Sequence, residues 1–594
     1  MQYRHLFLSV AALFLLLAPC KAADAPARRP AAIAERVEAL LKQMTLEEKI
    51  GQMVQPVKDI SPDDVRNHFI GSVLSGGGGS IGNTPSEWAD AYDRFQKAAM
   101  STRLKIPIIY GLDAVHGHNN VRGAVIFPHH VGLGAARDPN LMKRIGQVVA
   151  EEVLTTGPTW TFAPCLTVPR DERWGRTYEG FGEDPKLAAL LAGPYIEGLQ
   201  GPEFNGRHLV ACMKHWAADG GTKGGKNAGD SVLTAQELRD IHIAPYLPAI
   251  KAGAWTAMVS YNSINGVPCH INKELITGTL KTRLGFKGIV ISDWLGIGGR
   301  YVQAVNAGID MAMEPTTWRD FITAVKNGVN SGQIPQSRID DAVRRILTVK
   351  FASGLMDHPY ADRELIKKGT FGSKEHRAVA REAVRKSLVL LKNDRVLPLS
   401  KKAKILVAGK SANNIGIQCG GWTISWEGGA GNITPGTTIL DGLKQVAPDA
   451  KIDFDEAGNN AASYDVVLVV IGETPYAEGG GDRADLHLDG GDRRVLQHVQ
   501  ESGVPAVVVL ISGRPMIITE EIKKCKGFVA AWLPGTEGAG IADVLFGDYD
   551  FTGKLPHTWP AQMQQIPINI GDADYKPLFP YGFGLTYNKR DTDK

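Results

Sequence analysis

The chain has 594 residues, 43% apolar and 22% charged, with a net charge of +3 at neutral pH. That length exceeds what one hydrophobic core serves, so two to four domains are expected, of ordinary globular composition. So small a positive excess implies no basic stripe and argues against nucleic acid as a partner.

Tyr3-Arg4-His5, an apolar run over 6–18 and small residues over 19–23 read as a signal peptide covering 1–23. The run is short for a membrane span, and an Ala/Pro/Arg linker follows over 24–32. Export to the periplasm or the medium is expected, with no transmembrane segment in the mature chain. Cys20 raises a lipoprotein as the lesser alternative, because Pro19 before it fits lipid attachment poorly. Cleavage leaves five scattered cysteines without a CxxC pair, so no disulfide framework is expected. Cys165 and Cys212 read as small core residues.

Val37, Leu40, Leu41, Met44 and Leu46 are spaced as on a helix, and Thr45 with Glu48 forms a capping-box pattern. Eight apolar runs then end in polar or Gly-rich loops, at 51–54, 71–74, 106–112, 160–163, 209–214, 256–260, 288–292 and 309–313. Helical patterns separate them. The count favours a (β/α)8 TIM-like barrel over 24–375, with a doubly wound sheet as the competitor. Residues 318–352 are predicted helical and 354–375 connecting. A further helix is predicted over 374–392, overlapping a linker helix placed at 376–400. A second α/β pattern follows over 401–570, with strands at 404–408, 452–454, 466–471, 506–511 and 528–532. Its buried-looking strands imply a mostly parallel sheet in an α/β sandwich. A loop-rich tail occupies 571–594.

The chemistry clusters after the barrel strands. The seventh run, Gly288-Ile289-Val290-Ile291-Ser292, discharges Asp293 and Trp294 into a glycine-rich loop. Carboxylates at the carboxyl ends of barrel strands are typically catalytic, so Asp293 reads as a nucleophile, against the alternative of a helix-capping aspartate. Asp113, His116 and His118 follow the third run. Arg170, Arg173, Arg176 and Glu179 follow the fourth, Lys214-His215-Trp216 the fifth, and Tyr261-Asn262 the sixth. Charged and aromatic groups on one rim suit a sugar: polar groups bond hydroxyls and indoles cover its C–H face. Lys214 and His215 also have a plain structural reading, as a buried ion-pair member and a core histidine. The histidines at 116, 118, 129 and 130 lack zinc spacing, and Asp482, Asp485 and Asp489 lack that of an EF-hand, so no metal and no cofactor are expected. Gly76 to Gly79 has no P-loop lysine and reads as a turn.

At these residues the chain resembles family 3 glycoside hydrolases, close to plant exo-acting β-glucan glucohydrolases and bacterial periplasmic β-glucosidases. The resemblance rests on 111–120, Arg173-Trp174-Gly175-Arg176, Lys214-His215, Val259-Ser260-Tyr261, Ser292-Asp293-Trp294, 420–426, 472–482 and 551–556. It implies that Asp293 is the nucleophile and Glu478 the acid/base. Without it, Glu473 and Glu478 are not distinguishable. It places Asp113, Arg176, Lys214, His215 and Tyr261 around the innermost sugar, with Met258 close by. Trp294 and Trp426 are then on opposite sides of the next subsite, with Trp422 nearby. A retaining mechanism of this kind needs carboxyl groups about 5–5.5 Å apart.

Three departures matter. Pro169 and Thr177 stand where plant members carry cysteines. The Lys-His motif continues as Trp216-Ala217-Ala218-Asp219-Gly220, without the extra His of the β-N-acetylglucosaminidase branch. No fibronectin-like domain is expected after the second domain. The expectation is a retaining, exo-acting β-glucosidase acting on β-linked glucose oligosaccharides or polysaccharides, as a monomer or homodimer. A β-xylosidase or a non-catalytic sugar-binding relative are the alternatives.

Overall fold

The computed structural model describes residues 28–76 and 81–587. The expected signal peptide and most of the Gly76 to Gly79 turn lie outside the described residues. Among the described residues, no helix is long and apolar enough to cross a membrane.

Eight short strands form the first sheet: β1 (Val54–Gln55), β2 (Ser72–Ser75), β3 (Ile109–Leu112), β4 (Trp160–Thr161), β5 (Val210–Trp216), β6 (Thr256–Val259), β7 (Ile289–Ile291) and β8 (Ala312–Met313). Strands β2 to β7 pair in chain order, all parallel. Strand β8 pairs with β1, also parallel. Single parallel bridges, Val57 to Leu74 and Ile291 to Met311, link that pair to β2 and to β7 and complete a barrel. The strands are buried throughout, which is why they read as unbroken apolar runs rather than as alternating ones.

The first run behaves differently from its prediction. Thr45 and Glu48 do form a capping box, but the helix they start runs from Leu46 to Gln52, through the glycine expected to open a strand. A Cβ on Gly51 would lie 2.2 Å from the carbonyl oxygen of His68, so this helix fits against the next only with glycine there. The predicted helical stretch over 318–352 is two helices, Trp318–Asn330 and Gln336–Ala352. Gly332, with φ +76°, and Pro335 at the second N-cap break it. A short helix, Arg363–Lys368, lies inside the predicted connection.

The helix predicted to run on to Lys392 stops at Ser387. Val389–Asn393 is instead a strand, β9, paired antiparallel with the last strand of the second sheet. Four consecutive apolar residues, Leu388 to Leu391, fit a buried strand as well as a helix, and length alone does not separate them. The rest of that sheet is β10 (Lys404–Ala408), β11 (Lys451–Phe454), β12 (Val466–Gly472), β13 (Ala506–Ile511) and β14 (Gly527–Trp532). The order is β9-β14-β13-β12-β10-β11, parallel except for β9.

Each sheet has its own core. The loops beyond β10, β12 and β14 reach across to the barrel rim. Ile424 donates its N–H to Asn119 O (2.7 Å), and His129 donates its N–H to Leu533 O (3.1 Å). The loop-rich C-terminal segment is also tied down. Glu183 accepts the N–H groups of Thr558 (2.6 Å) and Ile570 (2.7 Å), and Leu585 donates its N–H to Leu390 O (2.9 Å). All five described cysteines are free and buried.

Candidate active site

A cavity of about 490 Å³ opens at the carboxyl ends of the barrel strands, beneath the loops of the second domain. All eleven residues expected at the site line it: Asp293 and Glu478, together with Asp113, Arg176, Lys214, His215, Met258, Tyr261, Trp294, Trp422 and Trp426. Phe162, Met313 and Gly76 also line it and were not foreseen. Phe162 and Met313 come from the ends of β4 and β8, where a systematic reading of strand ends finds them. A Cβ on Gly76 would lie 2.9 Å from the Trp294 ring, so this glycine does more than turn the chain.

Asp293 leaves β7 and caps no helix. The next helix, Tyr301–Ala307, has Arg300 at its N-cap. The Asp293 N–H donates to His270 Nε2 (3.0 Å), and its Oδ1 accepts the N–H of Trp294 (2.8 Å). Its Oδ2 is buried with no hydrogen-bond partner among the described residues and sits 3.8 Å from His215 Nε2. Burial pushes the Asp293 carboxyl up to about 7; Arg176 and Lys214 oppose the shift and the Glu478 carboxylate adds to it.

The basic residues form one connected set. Lys214 donates to Asp113 Oδ1 (3.0 Å), and its Nζ lies 5.6 Å from the Trp422 ring centroid. Burial works against the Lys214 charge, but Asp113 and Glu179 outweigh it and hold the pKa above the usual lysine value. Arg176 donates to both carboxylate oxygens of Glu179, each at 2.8 Å, and to His215 Nε2 (2.9 Å). A guanidinium only donates, so His215 must accept at Nε2 and carry its proton on Nδ1, which donates to Asp219 Oδ2 (2.7 Å). Burial, with Arg176 and Lys214 nearby, pushes His215 well below its usual pKa and keeps it neutral. Glu179, Asp219 and His270 thus fix residues of the wall from behind. Their signal in the sequence is proximity to a motif, which does not say which neighbour does the fixing.

Glu478 arrives from the other domain, on the loop after β12. Its φ is +49°, a left-handed conformation unusual for a side chain of its size, and its Oε1 lies 3.7 Å from Arg176 Nη1. Such backbone conformations concentrate at functional sites, where surrounding contacts enforce them. Burial raises the Glu478 pKa despite Arg176, and the carboxylates of Glu179 and Asp113 add to the effect. Glu473, the rival acid, is bonded elsewhere. Its carboxylate accepts from Arg514 Nε (3.0 Å), the Tyr476 hydroxyl (2.9 Å) and the Gly513 N–H (3.0 Å).

The aromatic residues grade from inside to outside. Trp422 is buried and donates from its indole N–H to Glu179 Oε1 (3.1 Å). Trp294 and Trp426 are 39% and 43% exposed, which puts them at the mouth. The four histidines near the third strand have structural partners. His116 meets the carbonyls of Phe127 and Trp422, His129 that of Gly421, His130 that of Glu179, and His118 the Thr156 hydroxyl. Asp482 binds backbone N–H groups of the barrel, Asp489 caps the helix Gly490–Glu501, and Asp485 pairs with His487.

Residues 45–349 match the glycosyl hydrolase family 3 N-terminal domain, and 388–587 match its C-terminal domain. The chain is 32% identical to a lysosomal beta glucosidase of Dictyostelium discoideum, over 93% of this chain and 76% of that one. It is also 32% identical to a periplasmic beta-glucosidase of Salmonella typhimurium, over 93% and 80%. A solved exo-1,3/1,4-beta-glucanase from a Pseudoalteromonas species superposes with a TM-score of 0.91 at 42% identity, covering 94% of this chain and 74% of that one. The two domain matches come in order and embrace both lobes that build the cavity: the chain belongs to glycosyl hydrolase family 3 and is a glycoside hydrolase.

Proposed function

We propose that the protein is a retaining, exo-acting β-glucosidase that removes terminal glucose from β-glucans and cello-oligosaccharides. One observation carries the reading: a carboxyl group from each lobe faces the same cavity, with Arg176 between the lobes and close to Glu478. Asp293, through its unbonded Oδ2, attacks C1 of the sugar while Glu478 gives its proton to the departing glycosidic oxygen. The C1–O bond breaks and a glucosyl ester on Asp293 forms. Glu478, now ionised, takes a proton from water; that water attacks C1 and releases Asp293. The buried polar residues Asp113, Arg176, Lys214 and His215 hold the terminal sugar. The exposed indoles of Trp294 and Trp426 receive the unit beyond it. A closed inner end and an aromatic mouth admit a chain end first, which makes the action exo.

Glucose and xylose differ by the C6 hydroxymethyl group. With 4-nitrophenyl β-glucoside and the corresponding xyloside as substrates, the glucoside is expected to turn over faster. Faster xyloside turnover would replace the glucose assignment.

Export follows from the segment over 1–23 and accords with the periplasmic relative. Full-length protein expressed in a Gram-negative host is expected in the periplasmic fraction with its amino terminus near residue 24. An intact Met1, in the cytoplasmic fraction, would refute export.

A further inference from the structure

The loop that carries Glu478 is fastened by one buried arginine. Arg514 follows β13 and is fully buried. Its guanidinium is divided among three places. Nε donates to Glu473 Oε1 (3.0 Å), where the loop leaves β12, and Nη2 donates to Gly481 O (2.6 Å), where the loop ends. Nη1 donates to the carbonyl oxygen of Arg173 (3.0 Å), on the barrel. The guanidinium carbon also lies 4.7 Å from the Tyr476 ring centroid, inside the same loop. Asp482 makes a second fastening: its carboxylate accepts the N–H groups of Gly175 (2.9 Å) and Asn227 (2.8 Å), both from the barrel. Between these ties the two backbones nearly touch. A Cβ on Gly175 would lie 1.9 Å from Glu478 O.

A planar fork held by one carboxylate and two carbonyls from different segments specifies one placement of those segments and rejects others. The barrel partner, Arg173, is three residues from Arg176, the cation nearest Glu478. The same short segment therefore anchors the loop and presents the counterion of its acid. Arg514, Glu473 and Asp482 are not among the residues lining the cavity. We propose that Arg514, Glu473 and Asp482 form an interdomain latch of positioning residues that sets Glu478 for proton transfer. The proposal rests on the reading of Glu478 as the acid/base. A general acid displaced by about 1 Å loses on the order of 10²-fold in rate, so a latch of this kind affects the chemical step more than binding.

The test uses a pair of substrates. Cellobiose needs its leaving oxygen protonated, whereas 2,4-dinitrophenyl β-glucoside loses a stable phenolate without help. Arg514→Lys keeps the charge but cannot span three partners. Asp482→Asn keeps one acceptor oxygen and turns amide hydrogens toward the other of its two backbone donors. For Arg514→Lys, kcat/KM on cellobiose is expected to fall about 10²-fold, with a smaller fall for Asp482→Asn. The activated substrate, and inhibition by glucose, should change little in both. Equal losses on the two substrates, or no loss on cellobiose, overturn the latch. Glu478→Gln is measured alongside. If it does not discriminate between the substrates, the acid/base reading falls. If it does and the latch variants do not, only the latch falls. Should Arg514→Lys not fold, Asp482→Asn decides alone.

Discussion

Asp293→Asn is expected to abolish hydrolysis, lowering kcat/KM for an aryl β-glucoside on the order of 10⁴- to 10⁶-fold, the range for loss of a covalent nucleophile. The substitution is close to isosteric. An Asn oxygen still accepts the Trp294 N–H, and the backbone N–H still reaches His270 Nε2, so the side chain keeps its place. What is lost is the ionised oxygen, and a carboxamide does not form a glycosyl ester. Inhibition by glucose should therefore persist while turnover disappears. In the wild-type protein, a 2-fluoro β-glucoside with a good leaving group should label the peptide containing Asp293. Label elsewhere, or activity within tenfold of wild type in Asp293→Asn, ends the assignment.

The two folds were legible because their strands are buried on both faces. Runs such as Val507-Val508-Val509-Leu510 leave no alternation for the eye to misread, and their carboxyl ends mark the functional rim. Sequence and fold part where an apolar segment is short enough to suit either state. Leu388 to Leu391 suits the end of a helix by sequence and enters an edge strand in the fold, because its partner, Gly527–Trp532, lies far along the chain. Gly51 differs in the opposite direction: by sequence it opens a strand run, and in the fold it is a point of close approach within a helix.

Much of the barrel half of the cavity is legible by sequence, since Asp113, Lys214, His215, Tyr261, Asp293 and Trp294 lie at or just beyond strand ends, although Phe162 and Met313 at two other ends are not singled out. The second-domain half is not. Glu473 and Glu478 share one loop and similar surroundings in sequence, and only the partners separate them. Glu473 is bonded on both oxygens to its own domain, while Glu478 faces Arg176 across the crevice. The supporting roles of Glu179, which the sequence places on the rim, and of Asp219, His270 and Arg514 behind the wall are not legible, for a related reason. Their roles are defined by what they hold, and a linear sequence does not state which side chains meet.

Glu478→Gln should separate the two halves of the reaction and remove one limb of the pH profile while keeping the other. For cellobiose, kcat/KM is expected to fall about 10²- to 10⁴-fold, the usual contribution of a positioned general acid. For 2,4-dinitrophenyl β-glucoside, kcat/KM should stay near wild type while kcat falls, because water still needs a base to release Asp293. The productive wild-type enzyme carries one proton on the pair, with Asp293 ionised and Glu478 protonated, so its profile is a bell whose limbs belong to the two carboxyls together. The charge on Glu478 is one of the causes that lift Asp293 to about 7. That charge appears only on the basic side of the bell: on the acid limb Glu478 is still protonated and neutral, as Gln is, so the acid limb measured with the activated substrate should stay close to its wild-type position. The basic limb, which reports loss of the Glu478 proton, should disappear. Glu473→Gln offers the contrast: the Glu473 carboxylate is committed to Arg514, Tyr476 and Gly513, so its loss should leave the basic limb in place. A basic limb that survives in Glu478→Gln but vanishes in Glu473→Gln would exchange the two residues.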